Sequence, residues 1–88
     1  MILLKQHFRQ LSDIHYSAIN NTLHLEEELA EQVRNCEYIL DCIRMDCYRL
    51  SNIRNIDLDL LRNYCDMAEL MFTEVYSHNL IRVRNLCI

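Results

Sequence analysis

Between Leu25 and Leu50 the apolar positions fall on Leu29, Val33, Cys36, Leu40, Ile43, Cys47 and Leu50, in alternating steps of four and three. That spacing is a heptad seam, with apolar or small residues at every a and d position. A helix over this stretch is about 40 Å long at 1.5 Å per residue. It cannot bury its seam against itself, so other helices must lie alongside it. Residues 2–19 repeat the pattern through Leu4, Phe8, Leu11, His15 and Ile19 and predict a first amphipathic helix. Residues 57–86 carry Leu58, Leu61, Cys65, Ala68, Phe72 and Val75, and the stripe then slips towards Leu80, Val83 and Cys87.

Polar interruptions set the boundaries. Asn20, Asn21 and Thr22 compete with a helical backbone and cap helices well, so a break is expected there, with the second helix running over about 22–51. The alternative is one continuous helix over 2–51, because the apolar phase almost survives the interruption. Ser51 to Ile56 is the best turn candidate, and Asn55 or Asp57 can cap the helix that follows. The second helix opens on Glu26, Glu27, Glu28 and Glu31 and closes on Arg44 and Arg49, a polarity that favours the helix dipole. Glu31–Arg34, Asp41–Arg44 and Asp46–Arg49 are (i, i+3) pairs expected mostly off the seam, with Glu26 alone of the acidic run pointing inward.

The expected fold is therefore all-α: an antiparallel helical hairpin plus an N-terminal helix, three helices in a single domain over 1–88. The two seams are long for one small core, so completion of the bundle by dimerisation or by a partner is expected. The third helix adds a reason. Leu60, Tyr64, Met67 and Met71 form a second stripe beside the first, and the resulting arc is wider than one neighbour covers. Leu60, Tyr64, Met67, Leu70, Met71 and Phe72 are accordingly the candidate partner-binding residues. Leu4, Phe8 and Leu11 of the first helix are the competing cover.

Composition sharpens this picture. The 88 residues contain neither Gly nor Pro, where about ten would be expected at average usage. Turn-rich β and α/β folds lean on those residues, whereas a few long helices do not. The net charge of −4 argues against a general affinity for nucleic acid or anionic membrane. Arg44, Arg49, Arg54 and Arg62 cluster near the hairpin turn. Helix-end capping accounts for them, a nucleic-acid-contacting tip being the alternative, without the aromatic interleaving of a single-strand binder. No stretch of 18 apolar residues exists, the first five residues do not form a secretory signal, and Cys87-Ile88 is not a prenylation box. Five cysteines, an odd number, then fit a protein of the reducing cytoplasm.

The candidate chemistry is sparse. Cys36, Cys47 and Cys65 sit at seam positions, where free cysteine acts as a small hydrophobe. A two-helix zinc site with a histidine, or a redox disulfide, is the alternative. His7, His15, His24 and His78 form no HExxH or ExxH arrangement. His15 lies on the apolar stripe and reads as a hydrogen-bonded interface residue, or else as a ligand or pH sensor. There is no glycine loop and no nucleophile–base pair, so neither an enzyme nor a cofactor is expected. The function these patterns predict is a non-enzymatic interaction module, a small acidic adaptor or secretion-chaperone-like protein that docks an amphipathic helix of a partner or a second copy. The alternatives are a phage- or plasmid-type inhibitor of a host protein, and a regulator that touches nucleic acid through the turn-end arginines.

Overall fold

A computed structural model describes residues 1–20 and 23–86. Three helices are present: α1 (Ile2–Ile19), α2 (Glu26–Leu50) and α3 (Leu58–Leu86). α2 and α3 form the antiparallel hairpin. α1 runs antiparallel to α2 and parallel to α3 and packs on both, giving a rod of 54 × 17 × 17 Å.

The boundaries follow from local chemistry. At the end of α1 both the backbone N–H and the Nδ2 of Asn20 donate to the Tyr16 carbonyl. The chain is already non-helical at Leu23, His24 and Leu25, so α2 starts at Glu26 rather than near residue 22. Leu25 is extended (φ −96°, ψ 135°) and offers no side-chain cap. Glu26, Glu27 and Glu28 in the first turn supply the negative charge that the uncapped N–H groups favour. Arg82 holds this connection from α3 by donating to the Leu23 carbonyl at 2.8 Å. The expected capping role of Thr22 lies outside the described residues.

At the hairpin turn, Ser51 Oγ and Asn52 Nδ2 both donate to the Tyr48 carbonyl, at 2.6 and 3.1 Å, and so serve one of the orphan acceptors of the α2 terminus. Asn55 takes a left-handed conformation (φ 65°), the geometry a glycine would normally provide and which asparagine tolerates best among the rest. Asp57 caps α3, its Oδ1 accepting from the Leu60 N–H at 3.1 Å.

One apolar cluster joins all three helices. α1 contributes Leu4, Leu11 and Ala18; α2 contributes Cys36, Leu40, Ile43 and Cys47; α3 contributes Leu61, Ala68, Met71 and Val75. The α2 seam is buried from Leu29 onward, with Val33 and Leu50 partly buried. Glu26 is exposed, not inward-facing, because the seam begins one turn later.

Two seam assignments shift. In α1 the strict seven-residue step from Leu4 to Leu11 continues to Ala18, and Ile19 is left exposed. In α3 the step that was expected to lead to Leu80 leads to Asn79, which is 1% exposed, while Leu80 remains on the surface. Ala18 and Ala68 are fully buried, and small residues at such points allow close helix approach.

Candidate interaction surface

The six residues expected to form one docking stripe on α3 are divided by the packing of α1. Tyr64 stands edge-on to Phe8 of α1, with ring centroids 5.1 Å apart and planes at 84°. Met71 is buried, and its sulfur accepts from Ser12 Oγ at 3.8 Å. Phe72 is partly buried against the core and lies 6.2 Å from Tyr76, ring to ring. Leu60, Met67 and Leu70 are exposed. The first helix therefore covers the inner half of the stripe, and the outer half stays in solvent.

Polar contacts position α1 on the hairpin. His7 Nδ1 and Asp46 Oδ2 are 2.5 Å apart, as are His15 Nε2 and Glu74 Oε2. One imidazole meets α2 and the other meets α3, so the two bonds fix the register of α1 against both neighbours. Asp46 was expected on the wet face. It is buried instead, because α1 lies over it, and His7 and Arg49 (3.9 Å) supply its partners. A buried carboxylate without such partners would cost several kcal/mol.

Asn79 does similar work at the other end. Its Nδ2 donates to the Leu29 carbonyl at 3.2 Å and to Gln32 Oε1 at 2.9 Å, tying α3 to the first two turns of α2. Sequence periodicity missed Asn79 and Asp46 because both are polar residues on helices whose apolar stripe passes beside them.

The basic residues near the turn are partly neutralised. Arg44 donates to Glu69 at 2.6 and 2.9 Å and to Asp41 at 2.8 Å. The hydrogen bond to Glu69, and that to Asp41 after it, hold the Arg44 guanidinium above its ordinary pKa. Of the three expected (i, i+3) pairs, Asp41–Arg44 and Asp46–Arg49 form and Glu31–Arg34 does not.

Two depressions open between α2 and α3 on the side away from α1. One lies at the end remote from the turn. Leu29, Ala30 and Val33 of α2 and Tyr76, Leu80 and Val83 of α3 line it, and it encloses about 290 Å³. Its walls are almost wholly apolar, apart from Arg34 at the rim and Asn79 on the floor. The other lies beside the turn, between Arg44, Tyr48, Leu58 and Arg62, with Cys47 and Cys65 at its base and a volume of about 430 Å³. The Arg44–Glu69 bridge crosses the hairpin between α2 and α3.

The four cysteines among the described residues are free thiols: Cys36 and Cys47 are buried, Cys42 and Cys65 partly so. Burial pushes the Cys36 thiol up to about 11. Burial, and after it a hydrogen bond with Cys65, pushes Cys47 up to about 12. Among the described residues no three His, Cys, Asp or Glu side chains converge as a metal site would require. No helix among them is long and apolar enough to cross a membrane. Compared with known proteins, the chain matches no family model, no curated protein and no solved structure.

Proposed function

We propose that this chain is a non-enzymatic interaction module whose α2–α3 groove docks an amphipathic helix of a partner protein. One observation carries the reading. The bundle is covered on one side by α1, while the opposite side keeps an open, apolar-walled groove between Leu29, Ala30 and Val33 and the facing Tyr76, Leu80 and Val83. A fourth helix laid there would bury these side chains in the way α1 buries Tyr64 and Met71. An amphipathic helix would meet such a groove through anchors at i, i+3, i+4 and i+7. This moves the docking surface from the sequence-expected stripe, half of which α1 occupies, to the other flank of α3.

The test is quantitative affinity capture with three baits: the wild type, a groove variant (Tyr76→Ser with Leu80→Lys) and a variant of the outer stripe (Met67→Ser with Leu70→Ser). Tyr76, Leu80, Met67 and Leu70 are all exposed, so helicity by circular dichroism should be retained in each. A partner captured by the wild type and the stripe variant but lost with the groove variant supports the reading. A partner whose capture ignores the groove changes refutes it. Sedimentation equilibrium of the same proteins shows whether the occupant is instead a second copy.

A further inference from the structure

Cys47 and Cys65 meet across the hairpin at the base of the depression beside the turn. The Cys47 thiol donates to the Leu61 carbonyl at 3.7 Å. In a helix that carbonyl also accepts from the amide four residues on, which is that of Cys65. The Cys47 sulfur therefore sits on the turn of α3 that carries Cys65, and both cysteines line the same depression. Helix axes pack 8–10 Å apart, and each Cα lies about 2.3 Å from its axis, so directly facing Cα atoms come within about 3.4–5.4 Å. The upper part of that range falls within the 4.4–6.8 Å a disulfide needs. Cys36 lies eleven residues from Cys47 along α2, about 16 Å of helix, and is out of reach.

We propose that Cys47 and Cys65 are a dithiol site that reacts with a small anionic disulfide, of the oxidised-glutathione class, and closes to an intrachain disulfide. The environments of the two sulfurs assign their order. Cys65 is partly open to the depression, whereas Cys47 is buried beneath it. Arg62, three residues before Cys65, makes no ion pair and lines the same depression, where its charge favours an incoming anion. Arg44 on the opposite rim is already engaged by Asp41 and Glu69.

The reaction proceeds in two exchanges. Cys65 loses its proton to solvent, and its thiolate attacks one sulfur of the small disulfide. That S–S bond breaks, and one small thiolate leaves and is protonated. Cys47 then loses its proton and attacks the Cys65 sulfur of the mixed disulfide, forming the Cys47–Cys65 bond and expelling the second small thiol. The protein has given up two electrons and two protons, and the small disulfide has become two thiols. Cys47, buried beneath the depression, is closed to the small disulfide and acts second, on the Cys65 sulfur beside it.

The purified chain is incubated with oxidised glutathione at about pH 8, alkylated and weighed intact, then digested with trypsin. The expected product has lost two hydrogens, carries no glutathione, and yields the tryptic fragments 45–49 and 63–82 joined through Cys47 and Cys65. Cys47→Ser should accumulate glutathione on Cys65 with no internal link. Cys65→Ser should acquire neither a link nor an adduct at Cys47. The oxidised wild type should melt at a higher temperature than the reduced one, because the link constrains the unfolded chain. A stable glutathione adduct on wild-type Cys65, a link through Cys42, or a bond between two chains would each overturn the proposal. The wild-type fragment map decides the question even where a serine variant fails to fold.

Discussion

Leu40 lies midway along α2, is 1% exposed, and belongs to the cluster that joins the three helices. Truncation to alanine removes three carbon atoms from water-free surroundings, about 2.4 kcal/mol at roughly 0.8 kcal/mol per buried methylene. The hole left behind adds to this, since neighbours packed at crystal-like density relax only partly, and the total should be about 3–4 kcal/mol. A chain of 88 residues has about 4–13 kcal/mol of stability in all. Leu40→Ala should therefore remain folded but melt in far less urea. Leu40→Asp, which adds an unpaired buried carboxylate, should have little folded population. Urea unfolding followed by circular dichroism measures the difference, with Leu70→Ala as the comparator. Leu70 is 54% exposed on α3, and its truncation should cost no more than about 0.5 kcal/mol. A loss below about 1 kcal/mol for Leu40→Ala, or equal losses at the two sites, would refute the assignment of the seam and the packing built on it.

Two further outcomes are expected. The Cys36 thiol titrates at about 11 in the fold against an ordinary value of 9.0, so the folded state keeps a proton that the unfolded chain gives up. Its contribution is complete below pH 9 and is lost as pH rises towards 11, at up to about 1.4 kcal/mol per pH unit. Urea melts between pH 8 and 11 should show a shallower decline for Cys36→Ala than for the wild type; parallel declines would contradict the burial of this thiol. Met71→Ser should lower stability by about 2 kcal/mol whereas Met67→Ser leaves it within about 0.5 kcal/mol, since α1 covers the first and not the second. The reverse order, read from the same urea melts, would place α1 elsewhere on the hairpin.

The sequence alone determined the all-helical class and the approximate limits of the helices, while the break between α1 and α2 was an expectation that the structure decided. Four-three spacing through Leu29 to Leu50 is a property of a 3.6-residue backbone and needs no knowledge of neighbours. The Asp57 cap and the acidic opening of α2 are equally local, since each acts on amides within one turn. Even the burial of Cys36 and Cys47 followed from their places in the seam. Tertiary structure decided everything that depends on which stripe meets which helix. α3 carries two adjacent stripes, and pattern alone could not say that Phe8 and Ser12 would cover Tyr64 and Met71 while Met67 and Leu70 stayed wet. Ala18 replaces Ile19, and Asn79 replaces Leu80, because close approach of three helices selects by size and by hydrogen-bond reach as well as by polarity. The pairs His7–Asp46 and His15–Glu74, 39 and 59 residues apart in the chain, and the meeting of Cys47 with Cys65 arise only when α1, α2 and α3 are set in register. Register is the outcome of many small contacts summed over three faces at once, and no single stretch of the chain contains that sum.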